Sequence, residues 1–234
     1  MNTPPAAVPA RAALMSGDAY RESLRRYEPR VYVDGRAVAS VADEPAFRPG
    51  VNALAYTYDP TNPVPTIGGI QLTLPSGPKD QQSIESRADV LVFTSAPLAK
   101  PLEVTGRIRA RLWVASDAPD TDFFVRLCDV YPDGRSFNLC EGMLRARFRA
   151  GYETETPLKP GEPAELDVDL WSTSVVFNRG HRIRVDVTSS SAPGFDPNPN
   201  TGEPFRSSAN HRPARNQVFV AGSRASHVLL PVID

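Results

Sequence analysis

The fold is decided by residues 104–149, which read VTGRIRARLWVASDAPDTDFFVRLCDVYPDGRSFNLCEGMLRARFR. In the first part, apolar residues alternate with polar or charged ones, a period typical of a strand with one face in the core and one in solvent. We predict three antiparallel strands here, separated by two turns, and expect them to form the central sheet. The predicted inner face holds Val104, Ile108, Ala110, Leu112 and Val114, with Gly106 among them, and the outer face holds Thr105, Arg107, Arg109, Arg111 and Trp113.

The rest of the chain after residue 58 continues this pattern. Turn-rich segments separate short apolar runs, and the 24 prolines disfavour long helices. About eight strands with almost no helical pattern predict an all-β sandwich or jelly roll. Further strands are predicted at residues 70–74, 89–95, 164–170, 182–188, 216–220 and 227–232.

The N-terminal part differs from the main body. Residues 1–15 are rich in Pro and Ala and are predicted to be disordered. Residues 16–58 predict an appendage with a short helix, whose Tyr20, Leu24 and Tyr27 share one face, and a hairpin around Asp34-Gly35. The main domain is therefore expected to cover residues 59–234.

Composition and charge disfavour several kinds of partner. Lys and Arg total 26 against 27 Asp and Glu, a net charge of -1, so no overall field favours nucleic acid. We interpret the strand arginines as a salt-bridged, solvated face. No apolar run approaches about 18 residues, so no membrane span is predicted. The first residues lack signal-peptide features, and a cytoplasmic location is expected.

No metal or cofactor site is predicted. The segment 116–122 carries three aspartates, but it lacks the Gly and Glu positions of an EF-hand loop, so we expect turn formation and pairing with arginines. Cys128 and Cys140 lie nearly opposite in the predicted hairpin, where a disulfide is conceivable. Two reduced, mostly buried thiols are the favoured interpretation.

No catalytic residue is predicted either. The sequence contains no Gly-x-Ser-x-Gly, which presents the nucleophile in α/β-hydrolases. A triad base needs a nucleophile within hydrogen-bond reach and an orienting carboxylate. His181 and His227 each open a predicted strand, and we expect both to bond loop backbone. His211 lies in a polar loop without an obvious partner.

The main body resembles a known family through several long motifs. They include YDPTNPVPTIGG, VVFNRGHRIRVDVTSSSAPGFDPNPNTG, SHVLLPV and most of residues 77–149. Over about residues 57–234 the chain is similar to the C-terminal domain of cocaine-esterase-type (CocE/NonD) serine hydrolases and Xaa-Pro dipeptidyl-peptidases. The resemblance implies a galactose-binding-like jelly roll, attached to an α/β-hydrolase domain that holds a Ser-Asp-His triad. It also implies an accessory domain that is inactive alone.

The resemblance carries over one contribution to a substrate site. In esterase members, the strand after Gly68-Gly69 helps to wall the acyl pocket of the neighbouring catalytic domain. The matching positions are Leu72 and Thr73, and Thr73 departs from the apolar, often aromatic, group of the family. The alternative is that both are plain strand residues in a domain interface. A face built for an absent partner is also expected to favour self-association.

A second resemblance covers residues 13–59. The motifs YRESL, RVYVDG and PAFRPGVNALAYTYD resemble the N-terminus of 4-hydroxyphenylacetate 3-hydroxylase and 4-hydroxybutyryl-CoA dehydratase flavoproteins. The flavin and substrate sites of that family lie mainly in later domains, so no flavin is carried over. We interpret the junction at residues 55–60 as the product of a fused reading frame. The alternative function is a free-standing carbohydrate-binding module, for which Trp113 and Trp171 are the available tryptophans.

Overall fold

The computed structural model describes residues 32–33, 36–37, 53–72, 74–204, 206–207 and 209–233. Almost all regular structure in this part of the chain is β-strand, with one short helix, α1 (Gln82–Glu85), and two 3-10 turns. The strands are β1 (Tyr32–Val33), β2 (Arg36–Ala37), β3 (Ala53–Tyr58), β4 (Leu91–Thr94), β5 (Leu102–Ser116), β6 (Asp122–Val130), β7 (Ser136–Arg145), β8 (Ala164–Phe177), β9 (Arg182–Thr188), β10 (Ala214–Phe219), β11 (His227–Leu229) and β12 (Val232–Ile233).

Two antiparallel sheets pack face to face. The six-stranded sheet is built around β5, which pairs with β8 along one edge and with β10, β11 and β12 along the other, while β3 pairs with β10. The four-stranded sheet has the order β4-β9-β6-β7. The predicted all-β sandwich is confirmed, and its jelly-roll type stays a prediction.

The alternation predicted for β5 is confirmed, because its five inward residues are all buried in the core between the sheets. The prediction of one central sheet over residues 104–149 is wrong. β5 belongs to the six-stranded sheet, and β6 and β7 belong to the four-stranded one. Residues 117–121 cross between the sheets, and the burial of Ala118 and Thr121 fixes this crossing in the core.

β8 is one long strand with a bulge where we predicted a strand end. Arg109 of β5 pairs with Asp169 and Arg107 with Ser172, so two residues of β8 oppose one of β5. Trp171 takes the left-handed conformation at φ 67°. The extra residue shifts the alternation, which returns Phe177 to the core.

The appendage is only partly described. β1 pairs with β2 across residues 34 and 35, which confirms the hairpin. The predicted helix and residues 1–15 lie outside the described residues. β3, which ends at residue 58, is a strand of the six-stranded sheet. The division of the chain at residues 15 and 58 stays a prediction.

A cover segment, residues 59–90, lies over the outer face of the four-stranded sheet. Its Val64, Ile84 and Val90 pack with Val92 of β4 in a second, smaller core. Gln81 donates to the Asn138 side chain of β7 at 3.1 Å. Both faces of the four-stranded sheet are therefore covered, and β6 is buried along its whole length.

Candidate functional site

The cover segment carries an apolar loop, residues 69–77. The described part of residues 70–74 forms no strand, so the strand predicted there is wrong. The reason is that Gly69 and Gly77 pair with each other, through backbone hydrogen bonds of 3.0 and 2.8 Å. Both glycines have positive φ, at 83° and 82°, a conformation that glycine adopts without steric cost.

The base of the apolar loop is held rigidly on the sandwich. The Gln81 amide group donates to the carbonyl oxygens of Ile67 and Lys79, each at 2.9 Å. The Lys79 amide in turn donates to the Asn138 side chain at 2.7 Å. Gln81 is completely buried, so these bonds are shielded from water.

The tip of the apolar loop presents large apolar side chains to solvent. Leu72 is 100% exposed and Ile70 is 69% exposed. The structure thus places Leu72 at an accessible tip, and Thr73 lies outside the described residues. Whether Leu72 lines a substrate pocket stays a prediction, because that role needs a neighbouring domain.

The three histidines are not arranged for nucleophilic catalysis. His181 is buried, and its Nδ1 lies 2.9 Å from both carboxylate oxygens of Asp129. His181 does bond loop backbone, through its main-chain groups to Leu98 and Asn178, and its ring adds the contact with Asp129 that the sequence did not predict. The rings of His211 and His227 contact backbone carbonyl oxygens. Among the described residues, no hydroxyl or thiol is hydrogen-bonded to any of these rings.

The three aspartates of segment 116–122 pair with arginines, as predicted, and Asp117 pairs with Arg212 at 3.3 Å. Asp120 bonds Arg147 and Asp122 bonds Arg145, each at 2.8 Å. Burial raises the pKa of Asp122, and the Arg145 guanidinium opposes that rise. Asn198 donates to the Asp120 and Asp122 carboxylates, at 2.9 and 2.8 Å, so polar partners surround them.

Two of the three arginines on the outer face of β5 form the salt bridges that we predicted for this face. Arg109 pairs with Asp167 of β8 at 2.9 Å, and Arg107 pairs with Asp169. Trp171 is 64% exposed on the same sheet, while Trp113 is half-buried beneath the Arg224 guanidinium, 5.4 Å away. A carbohydrate platform here would depend on Trp171, and that alternative stays a prediction.

Both cysteines are free thiols, as favoured from the sequence. Leu127 of β6 pairs with Cys140, so the next residue, Cys128, points to the opposite face of the sheet and no disulfide joins the two thiols. Cys140 packs on the main core, and burial raises its pKa to about 12. Cys128 faces the cover segment, and burial raises its pKa well above the usual value.

One group of side chains could hold a cation. Ligand atoms of Glu85, Cys128 and Asp186 all lie within 4.8 Å of one another. Two guanidinium groups already face these carboxylates: Arg126 lies 3.9 Å from Asp186, and Arg184 bonds Glu85. Because these carboxylates already face guanidinium groups, we assign no metal ligands here.

The comparison with known proteins decides the family. A model of the X-Pro dipeptidyl-peptidase C-terminal non-catalytic domain matches residues 19–229. The chain belongs to this family. No helix of the described residues is long and apolar enough to cross a membrane.

Relatives are hydrolases about three times as long. Cocaine esterase of Rhodococcus sp. (strain MB1 Bresler) is 42% identical over 186 residues, which cover 78% of this chain and 32% of the esterase. An aminopeptidase from a marine sediment Thaumarchaeota archaeon superposes with a TM-score of 0.72 at 32% identity, and an α-amino acid ester hydrolase with a TM-score of 0.72 at 29% identity. Each superposition covers 78% of this chain and 33% of the other. This chain therefore spans about a third of the length of each of these relatives.

The second resemblance also has a counterpart. The 4-hydroxybutyryl-CoA dehydratase/vinylacetyl-CoA-Delta-isomerase of Clostridium aminobutyricum is 41% identical over 46 residues, which are 20% of this chain and 9% of the enzyme. This short match is what the flavoprotein motifs predict. The family match, which begins at residue 19, overlaps the same part of the chain.

Proposed function

We propose that this accessory domain docks on an α/β-hydrolase catalytic domain and that its apolar loop completes the acyl pocket of that domain. The observation that supports this most directly is the fully exposed Leu72 at the tip of an anchored loop. Burying a leucine side chain contributes about 1.5–3 kcal/mol. A domain that presents this side chain to water on a rigid base gains that free energy when a partner covers it.

The proposed substrate class is the acyl group of an ester or amide. The names of the relatives describe an esterase, an aminopeptidase and an amino acid ester hydrolase, all of which act on acyl carbonyl groups. A leucine at a pocket edge contacts the apolar part of such a group. The nucleophile, base and oxyanion donors would belong to the partner domain, because the described residues hold no nucleophile–base pair.

Complementation in trans tests the proposal. A cocaine esterase that lacks its matching C-terminal third is mixed with this chain, and binding and ester hydrolysis are measured. We expect saturable binding and a gain in hydrolysis over either component, while this chain alone hydrolyses no ester. Leu72→Ser is expected to weaken binding by about tenfold or more, since most of the leucine burial is lost.

A matched control separates the apolar loop from general apolarity. Leu229 is 46% exposed on the six-stranded sheet, away from the cover segment, so Leu229→Ser makes the same chemical change elsewhere. It should leave binding close to that of the unaltered chain. Equal losses for both variants, or no binding by a folded chain, would contradict the proposal.

A further inference from the structure

An exposed tryptophan stands in the bulge of β8. Trp171 is 64% exposed, whereas its neighbour Leu170 is completely buried in the main core. The left-handed backbone of Trp171, at φ 67°, is a conformation that bulky side chains rarely adopt, because their Cβ clashes with the following carbonyl oxygen. A large aromatic side chain that is both strained and exposed is unfavourable for folding alone and is typical of a functional site.

The bulge is held firmly by its neighbours. The Trp171 amide donates to the Asp169 carboxylate at 3.0 Å, and that carboxylate also pairs with Arg107 of β5. On the inner side, the Asp169 carbonyl group packs so closely on Gly142 of β7 that no Cβ would fit between them. Because the backbone beneath the indole is fixed, little conformational freedom is lost when a partner covers the side chain.

Trp171 and the apolar loop lie on either side of β7, at neighbouring positions. β7 is an edge strand of the four-stranded sheet, and a Cβ on Gly69 at the base of the loop would stand 2.6 Å from the Glu141 Oε1. The next residue, Gly142, packs on β8 directly before Trp171. A partner that covers the loop at this edge is therefore close to the indole. We name this side of the sandwich the docking edge, which consists of residues 69–77, 141–142 and 169–172.

The apolar loop alone is too small to hold a partner. A stable interface buries about 800 Å² on each partner. The two exposed side chains at the tip, Ile70 and Leu72, supply only a small part of that area. A partner bound through the loop must contact a further surface, and Trp171 is the large exposed side chain that the docking edge offers. Tryptophan is also among the residues that contribute most to binding.

We propose that Trp171 is a second anchor of the docking edge and inserts into an apolar pocket on the hydrolase catalytic domain. The relatives are about three times as long as this chain, so the rest of each relative is large enough to cover both anchors. The indole fits an apolar pocket with one hydrogen-bond acceptor for its N–H group, and the ion pair of Arg107 with Asp169 forms a polar rim beside it. The inference rests on the proposed docking, but the second anchor touches no substrate.

Two measurements on Trp171→Asn test the second anchor. Binding to the truncated cocaine esterase of the complementation test should weaken by about tenfold or more, because the indole contact is lost. The urea midpoint of the isolated chain should stay unchanged or rise, because asparagine tolerates the left-handed conformation better than tryptophan. A structural tryptophan would lower the midpoint instead, so a fall in the midpoint with unchanged binding would overturn the inference.

Leu229→Asn is the matched control on the same sheet. Leu229 is also exposed, but it lies on β11, which pairs with the opposite edge of β5 from β8. This variant loses a comparable apolar side chain outside the docking edge, and its binding should stay within about twofold of the unaltered chain. An equal loss of binding in Leu229→Asn and Trp171→Asn would contradict a specific anchor.

Fluorine NMR locates the contact directly. The chain has two tryptophans, so labelling with 5-fluorotryptophan gives two resonances, which Trp171→Phe assigns. Addition of the unlabelled truncated esterase should shift the Trp171 resonance and leave that of Trp113, which packs beneath Arg224, in place. Binding without a shift at Trp171 would overturn the inference. An equal shift with the concentration of the chain alone would make a second copy the partner and would overturn it as well.

The outcomes also separate this inference from the proposed function. Binding that depends on Trp171 but not on Leu72 would support the second anchor and reject the role of the loop. Binding that depends on Leu72 but not on Trp171 would reject the second anchor alone. Absence of binding by a folded chain would reject both.

Discussion

At the scale of the residue, Gly142 shows where the two sheets approach most closely. It lies in β7 opposite Val125, and a Cβ built there would stand 2.0 Å from the Asp169 carbonyl oxygen and 3.1 Å from the Leu170 Cα. Both contacts are backbone atoms of β8, which cannot rotate away. The glycine has no positive φ, so its need is spatial and not conformational.

Gly142→Ala should therefore destabilise the sandwich by about 2 kcal/mol or more, since overpacking forces the backbones apart. Urea unfolding followed by tryptophan fluorescence measures the change. Gly161→Ala is the control, because Gly161 has φ 79° and nothing lies within 4 Å of its added Cβ. That variant carries only conformational strain of about 1 kcal/mol. Equal costs for the two variants would contradict the close approach of the sheets.

At the scale of the element, β6 is the strand on which both cores rest. Its Phe123, Val125 and Leu127 face the main core, and Arg126 and Cys128 face the cover segment. The alternation of residues 122–130 could be read from the sequence. Burial of the charged face could not be predicted, because it depends on the cover segment. That segment is distant from β6 in sequence and meets it only by tertiary packing.

Arg126→Ala should cost about 3 kcal/mol or more in free energy of unfolding, because it leaves Glu141 and Asp186 buried without a cation. Arg107→Ala makes the same change on the solvent-exposed face, where screening by water leaves little to lose. Chemical denaturation at one pH compares the two. A small effect of Arg126→Ala would show that water reaches these carboxylates.

At the scale of the whole molecule, the sequence predicts the strands better than their assembly. The inward residues of β5, the hairpin of β1 and β2, and the pairing of Asp120 with Arg147 follow from local pattern or charge. The allocation of β5 and β6 to different sheets does not, since strand alternation is the same in either sheet. His181 and Asp129 are 52 residues apart, and only the pairing of β6 with β9 brings them together.

The apolar loop also bears on the behaviour of the isolated chain. Without a hydrolase domain over Ile70 and Leu72, two copies can cover these side chains against each other. We expect the mass measured by light scattering to rise with concentration, and less so for Leu72→Ser than for Leu229→Ser. A clean monomer at high concentration would contradict this expectation.

In the apolar loop, the residues that close the loop are different from the residues that form its exposed tip. The bonds that join Gly69 to Gly77 run between backbone atoms, so they do not depend on the side chains of the tip. The steric demand falls on Gly68, where a Cβ would stand 2.4 Å from the Gly77 carbonyl oxygen. The residues between the glycines can thus diverge while the sandwich stays unchanged. If the loop docks as proposed above, a new tip grafted between the two glycines would direct the domain to a different pocket.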